Sequence, residues 1–226
     1  SDRDARLIVG LLTARTLMIG CADVLFVLMA LELLGTGEPG AGVLNAALGA
    51  GTIVGGAVSF ALIGREGLAL VAAIGALVWG VAVAVIGITA APLLAPLLVI
   101  VGGAGLALVD VAGRTLLQRS VRDEVLTRVF GLQEGLAMGA LALGSVLVSV
   151  LSEAIGLSLA IGVVALILPA LVVLSWTRIT ALDRRAVVPE RAIALLRATR
   201  LFSPLPRPQL EAVARRGVWL TYPSQT

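Results

Sequence analysis

Two charged side chains lie inside the first long apolar stretch of this sequence. Arg15 and Asp23 are eight residues apart, which leaves them roughly 80° apart around a helix with about 100° per residue. A charge at the centre of a membrane-spanning helix costs about 2.5–3.5 kcal/mol on insertion scales, and such charges usually face a bundle interior or a wet cavity. Both side chains are therefore candidates for a substrate or proton site near mid-membrane. The alternative is a structural role in fixed ion pairs, within this chain or with a helix outside it.

A second group of charges lies near the inner end of two later apolar stretches. Asp110 and Arg114 are four residues apart and share a helix face, and Glu134 lies at similar depth on the next stretch. One interpretation makes them helix-end anchors, with Arg114 extending to the lipid headgroups. The other is a cytoplasmic gate whose ion pairs break and re-form. The candidates are thus Arg15, Asp23 and Asp110 for a transport cavity and Arg65, Arg114 and Glu134 for the gate.

The composition is typical of an integral membrane protein. Hydrophobic residues make up 59% of the 226 positions and charged residues 14%, whereas a soluble domain carries about 25% charged residues. A membrane span needs roughly 20 apolar residues, and the sequence has room for six. The predicted crossings are residues 7–34, 42–63, 68–88, 91–117, 128–150 and 157–176.

The positions of the arginines predict the orientation of these crossings. The connectors 64–67 and 114–128 carry arginine, as do both ends of the chain, whereas 35–40, 88–93 and 151–156 carry none. Because short cytoplasmic loops are enriched in Lys and Arg, we expect a multi-pass protein of the cell membrane with both termini in the cytoplasm. Anionic headgroups account for the net charge of +3, so no nucleic-acid partner is expected.

No residue pattern in the sequence indicates an enzyme. Histidine and lysine are absent, and the single cysteine, Cys21, has no partner for an intrachain disulfide. The sequence contains no His/Cys metal cluster, no Gly-x-Ser-x-Gly elbow and no phosphate-binding loop. We therefore expect no catalytic residue, no metal and no cofactor in this chain.

Glycines recur at every fourth position of two predicted crossings. Gly51 and Gly55 lie on the second, and Gly131, Gly135 and Gly139 lie on the fifth. Small residues at this spacing let helix backbones approach closely. Both faces are therefore predicted to pack tightly against neighbouring helices.

The character of the chain changes after Trp176. Residues 177–191 are polar and rich in arginine and are predicted to be a cytoplasmic linker, following a transmembrane domain over 1–176. Residues 192–226 show two short amphipathic helical patterns, separated by a proline-rich segment, and then a strand-like alternation over 218–222. The tail therefore resembles the opening of a soluble domain.

The order of these features resembles the C-terminal half of a major facilitator superfamily transporter. The resemblance covers about residues 6–176, and its most specific part is the segment 114–131 (RTLLQRSVRDEVLTRVFG), which looks like the link between the fourth and fifth helices of that half. The connector 64–67 (GREG) retains Arg65 and Gly67 of the family's pattern, with Gly64 where an aspartate often stands. The resemblance implies an all-α integral membrane fold of six helices, half of a major facilitator bundle, that works with an N-terminal six-helix half on a small-molecule substrate.

The tail is similar to the start of a cyclic nucleotide-binding domain. The similarity rests on residues 201–214 (LFSPLPRPQLEAVA) and 218–223 (VWLTYP), whereas the Gly-Glu pair and arginine that hold the cyclic phosphate do not occur. A cyclic nucleotide is therefore expected only in a C-terminal continuation.

Two functions remain open for the chain. It is either a transporter half with such a regulatory domain, or a non-transporting membrane sensor or scaffold that anchors the domain. They differ because a transporter should surround its membrane charges with water, whereas a scaffold could pack them dry and paired.

Overall fold

The part of the chain that the structure describes contains six long α-helices. A computed structural model describes residues 2–60, 67–121, 123–186, 195–199, 202, 210 and 213. The helices are α1 (Asp2–Leu28), α2 (Gly37–Phe60), α3 (Leu68–Thr89), α4 (Ala95–Ser120), α5 (Asp123–Ile155) and α6 (Leu157–Ala186). All six are long and apolar enough to cross a membrane. The predicted all-α, multi-pass membrane fold is confirmed.

Several helix ends differ from the predicted crossings: α1 begins at Asp2 rather than at residue 7, α4 at Ala95 rather than at 91, and α5 at Asp123 rather than at 128. Helix α2 begins at Gly37, inside the predicted turn 35–40, and α5 continues to Ile155. Helix α6 continues to Ala186, so the first ten residues of the predicted linker are helical. The loss of hydropathy after Trp176 is typical of a membrane boundary, but residues 177–186 contain no Gly or Pro that would end a helix. The chain divides into two units, Ser1–Asp183 and Arg184–Thr226.

Helix α1 ends in a π-helical turn that the hydropathy pattern did not predict. The turn spans Met29–Leu33, and the Leu34 N–H donates to the Met29 carbonyl at 2.7 Å, five residues back. Gly35 then adopts a φ of +63°, in the left-handed region that favours glycine. The wider turn places one extra residue in the last turn before the connector.

Helix α4 is central because it packs against α1, α2 and α3. Its contact with α2 is a backbone contact, since a Cβ on Gly51 would collide with the carbonyl oxygen of Ile100 and one on Gly55 would lie 2.5 Å from that of Ala104. Gly75 of α3 and Gly105 of α4 face each other in the same way, because a Cβ added to either one would lie 2.5 Å from the carbonyl oxygen of the other. The predicted packing of the Gly51 and Gly55 face is therefore confirmed.

The glycine face predicted on α5 does not pack within the described part of the chain. A Cβ added at Gly131, Gly135 or Gly139 would meet nothing within 4 Å, so that prediction is wrong for this chain. Helix α5 instead contacts α1 through Gly144, whose Cβ would collide with the carbonyl oxygen of Leu17. Residue spacing identifies a smooth face, but the rotation of the helix decides which face meets a neighbour.

The described residues of the tail are few and begin with a helical turn. Residues 195–198 are helical, and the Thr199 N–H donates to the Leu196 carbonyl at 3.2 Å. This agrees with the first predicted short helix. The predicted strand 218–222, most of the second short helix and the gate candidate Arg65 lie outside the described residues.

Candidate functional site

Four of the predicted site residues meet where α1, α4 and α5 converge. Asp110 of α4 lies between two guanidinium groups: Arg15 Nη1 is 3.6 Å from Asp110 Oδ1, and Arg114 Nε is 3.1 Å from Asp110 Oδ2. Arg114 Nε also lies 3.2 Å from Oδ1, so its N–H donates to both carboxylate oxygens. Arg114 Nη2 then lies 3.9 Å from Glu134 Oε2 on α5. The charges alternate in sign along a chain of four residues, which we call the ion-pair network.

Local helix geometry explains half of this arrangement, and helix packing explains the rest. Asp110 and Arg114 share a face of α4 because they are one turn apart. Arg15 and Glu134 join them because the backbones of α1 and α5 are in contact. Two glycines lie at that contact, Gly20 of α1 and Gly144 of α5. The Ser145 hydroxyl of α5 donates to the Gly20 carbonyl of α1 at 3.2 Å, which fixes the register of the two helices.

Solvent exposure increases steadily along the ion-pair network. The exposed fraction of the side chain is 16% for Arg15, 23% for Asp110, 39% for Arg114 and 58% for Glu134. The network therefore runs from the interior of the helix bundle to its surface. The attraction between opposite charges grows as water is excluded. The inner pair, Arg15 and Asp110, is therefore held more strongly than the outer pair, Arg114 and Glu134.

Two buried polar atoms near this junction have no hydrogen-bond partner among the described residues. They are Nε of Arg15, which can donate, and Oε1 of Gln133, which can accept. Gln133 is 1% exposed, and at about 100° per residue it lies on the side of α5 opposite to Gly131 and Gly135. The sequence analysis missed Gln133, although an amide beside Glu134 in an apolar helix is itself a signal. Buried polar groups are nearly always paired, so these atoms are suited to bind water or a polar group of a ligand.

Asp23 lies apart from the ion-pair network although it shares α1 with Arg15. Its side chain is exposed, and within the described chain no residue pairs with it. Asp23 is four residues from the midpoint of the span Ala5–Leu33, or roughly 6 Å along the helix. Because a charge facing lipid at that depth is costly, this surface of α1 is suited to face water or a further protein surface.

The acidic residues do not form a metal site in the described part of the chain. No three His, Cys, Asp or Glu residues there are grouped so that they could hold a metal ion.

No protein-family profile, characterised protein or solved structure matches the chain. The fold and the site therefore define a class, a multi-pass helical membrane protein with an ion-pair network inside its bundle.

Proposed function

We propose that the chain is one six-helix half of a secondary transporter, which works with a second six-helix half to move a small molecule by alternating access across the cell membrane. The observation that carries the proposal is the gradient of exposure along the ion-pair network, from 16% at Arg15 to 58% at Glu134. A static scaffold has no need for paired charges that open onto a surface in this way. Both termini are cytoplasmic in the proposed arrangement.

The outer pair of the network is suited to act as the gate. Arg114 contacts Glu134 at 3.9 Å but Asp110 at 3.1 Å, so the outer contact is both longer and more exposed. Exposed ion pairs contribute about 0–1 kcal/mol, which makes this contact easy to break and re-form. When it breaks, Arg114 keeps its contacts with both carboxylate oxygens of Asp110, and the side chain that loses its partner is Glu134, the most exposed of the four.

Asp23 is suited to couple transport to protons. It is an exposed carboxylate near mid-membrane without a partner in the described structure, and the chain has no histidine for that role. A carboxylate in such a place can gain and lose a proton without breaking an ion pair. The protonation state of Asp23 would then bias the bundle between its two conformations.

Open helix faces support the presence of a second half. The most apolar stretch is 22% buried in α5 and 28% buried in α2, against 50% in α1, α3 and α4. The open side of α5 carries three glycines, Gly131, Gly135 and Gly139. A Cβ added to any of them would meet no atom within 4 Å. A smooth face of this kind is suited to contact another helix.

Cysteine labelling tests the proposal, because Cys21 is the only cysteine of these 226 residues and is fully buried, so only cysteines of the second half need to be replaced beforehand. Met138 is 57% exposed and lies one turn deeper than Glu134 on α5. We expect a Met138→Cys variant of the full-length protein, in inside-out vesicles, to react with a membrane-impermeant maleimide at a rate that changes when a pH gradient is imposed. Thr127→Cys, exposed on the cytoplasmic side of Glu134, is the matched control and should react at a constant rate.

The variant Asp23→Asn links this test to proton coupling. Introduced beside Met138→Cys, it should remove the response to the gradient while the protein still folds and inserts. The labelling rate of Met138→Cys is measured with Asp23 present and with Asp23→Asn. If the pH gradient changes the rate in neither case, alternating access driven by protons is wrong and the scaffold function is favoured. A response that survives in Asp23→Asn would leave the gate in place and exclude Asp23 as the coupling residue.

A further inference from the structure

Two grooves flank the N-terminal part of α1, outside the ion-pair network. The first, of about 470 Å³, lies between α1 and α6 and is lined by Arg6, Gly10, Leu11, Leu171, Ser175 and Arg178. The second, of about 460 Å³, lies between α1 and α5 and is lined by Arg6, Gly10, Thr13, Val129, Leu132 and Leu136. Arg6 and Gly10 belong to both grooves, so the two meet across one ridge of α1.

Gly10 keeps the two grooves open. A Cβ added at Gly10 would meet no atom within 4 Å, so the missing side chain leaves free space on the ridge. The remaining lining is mainly aliphatic, from leucine and valine side chains of α1, α5 and α6. Such grooves in a membrane-spanning bundle are suited to hydrocarbon chains rather than to a water-soluble ligand.

Two arginines lie at the same end of these grooves. Arg6 is the second residue of the span Ala5–Leu33, and Arg178 is three residues before the end of the span Leu157–Ala181. Both are exposed, and within the described residues neither makes an ion pair or a side-chain hydrogen bond. Guanidinium groups at the end of a span lie at the depth of lipid phosphates, and arginine suits phosphate because it can donate two parallel hydrogen bonds.

We propose that one anionic diacyl phospholipid binds here, with one acyl chain in each groove and its phosphate held by Arg6 and Arg178. The Ser175 hydroxyl, which lines the first groove, is available to donate to the same phosphate. Thr13 lines the second groove deeper in the membrane, and its Oγ1 is buried without a described hydrogen-bond partner. That hydroxyl is suited to donate to an ester carbonyl of the lipid. The site does not depend on the proposed transport function.

Native mass spectrometry of the full-length protein tests the charge of the ligand. The protein is purified with equal amounts of phosphatidylglycerol and phosphatidylcholine that carry the same acyl chains. We expect one phosphatidylglycerol to be retained in preference, and Arg6→Gln and Arg178→Gln each to weaken its binding about fivefold. Arg128→Gln removes the same charge from an exposed position of α5 outside both grooves and should leave the binding unchanged.

A second variant tests the grooves and leaves the charges in place. Gly10→Leu fills both grooves while retaining both arginines, so the lipid should no longer be retained. Gly162→Leu on α6, where an added Cβ also meets nothing within 4 Å, is the matched control and should retain it. Equal retention of the two lipids, equal effects of Arg128→Gln and Arg6→Gln, or unchanged binding in Gly10→Leu would each overturn the proposal. Lysophosphatidylglycerol, with one chain, should bind more weakly, and equal affinity would exclude the two-groove site.

Discussion

Asp110 holds the ion-pair network together because, among the described carboxylates, it alone contacts two guanidinium groups. Arg15 and Arg114 both lie within 3.6 Å of its oxygens. Glu134, by contrast, touches only Arg114 among the described residues, and at 3.9 Å. The two acidic residues therefore have different consequences when their charge is removed.

We expect Asp110→Asn to destabilise the protein far more than Glu134→Gln does. Asp110→Asn leaves the buried Arg15 without a counter-charge, which should cost about 3 kcal/mol of the free energy of unfolding, at the low end for a broken buried pair. Glu134→Gln should cost less than about 1 kcal/mol, because the pair is exposed. Denaturant titrations in detergent micelles measure both values.

A double variant is the control for this prediction. Replacing Arg15 and Asp110 together with Met and Leu removes the charge and its partner, so the loss should be smaller than for Asp110→Asn alone. Similar losses in Asp110→Asn and Glu134→Gln would show that Asp110 does not hold the network together.

Helix α5 uses its two sides differently. One side contacts α1 through Gly144 and through the Ser145 hydroxyl, which donates to the Gly20 carbonyl at 3.2 Å. The other side carries Gly131, Gly135 and Gly139, which have no described neighbour within 4 Å of an added Cβ. Glycines of one helix therefore serve two purposes, one of them internal to the bundle and one on its surface.

Alanine substitutions separate the two sides of α5. Gly144→Ala should lower the free energy of unfolding by about 1–3 kcal/mol, because the added methyl group forces apart two helix backbones. Gly139→Ala, five residues away on the same helix, should be neutral or stabilise by up to about 1 kcal/mol through its higher helix propensity. Thermal unfolding in micelles distinguishes the pair. Equal destabilisation by the two substitutions would contradict the packing described for α5.

At the scale of the whole molecule, the described residues form six apolar helices long enough to cross a membrane, and with six crossings we expect both ends of the helical bundle on one side. The arginine distribution predicts that this side is the cytoplasm. Glu134 and Arg114 then lie near the cytoplasmic face, as do the two grooves beside α1. The proposed gate and the proposed lipid site depend on the same orientation.

Reporter fusions test this orientation. Alkaline phosphatase, which is active only outside the cytoplasm, should be active when fused after Thr36, Ala91 or Gly156. It should be inactive after Gly67 or Val121, where a fluorescent protein should be bright instead. Phosphatase activity after Val121 would invert the topology and place the ion-pair network at the outer face.

The sequence alone determined the number, order and approximate length of the helices. A helix in lipid satisfies its own backbone hydrogen bonds, so each crossing is fixed by a local property, an apolar run of sufficient length. The close packing of the Gly51 and Gly55 face was also predicted, because the spacing of those glycines is local information, but its partner α4 was not. The end of α6 was not, since a fall in hydropathy does not stop a helix.

Only the tertiary structure decided which faces and which charges meet. Arg15 and Asp110 are far apart in the sequence, and their contact depends on how α1 and α4 are rotated about their axes. The same rotations leave Asp23 outside the network and turn Gly131, Gly135 and Gly139 to the open side of α5. Residue spacing fixes positions on one helix, but the angle between two helices follows from all of their contacts together.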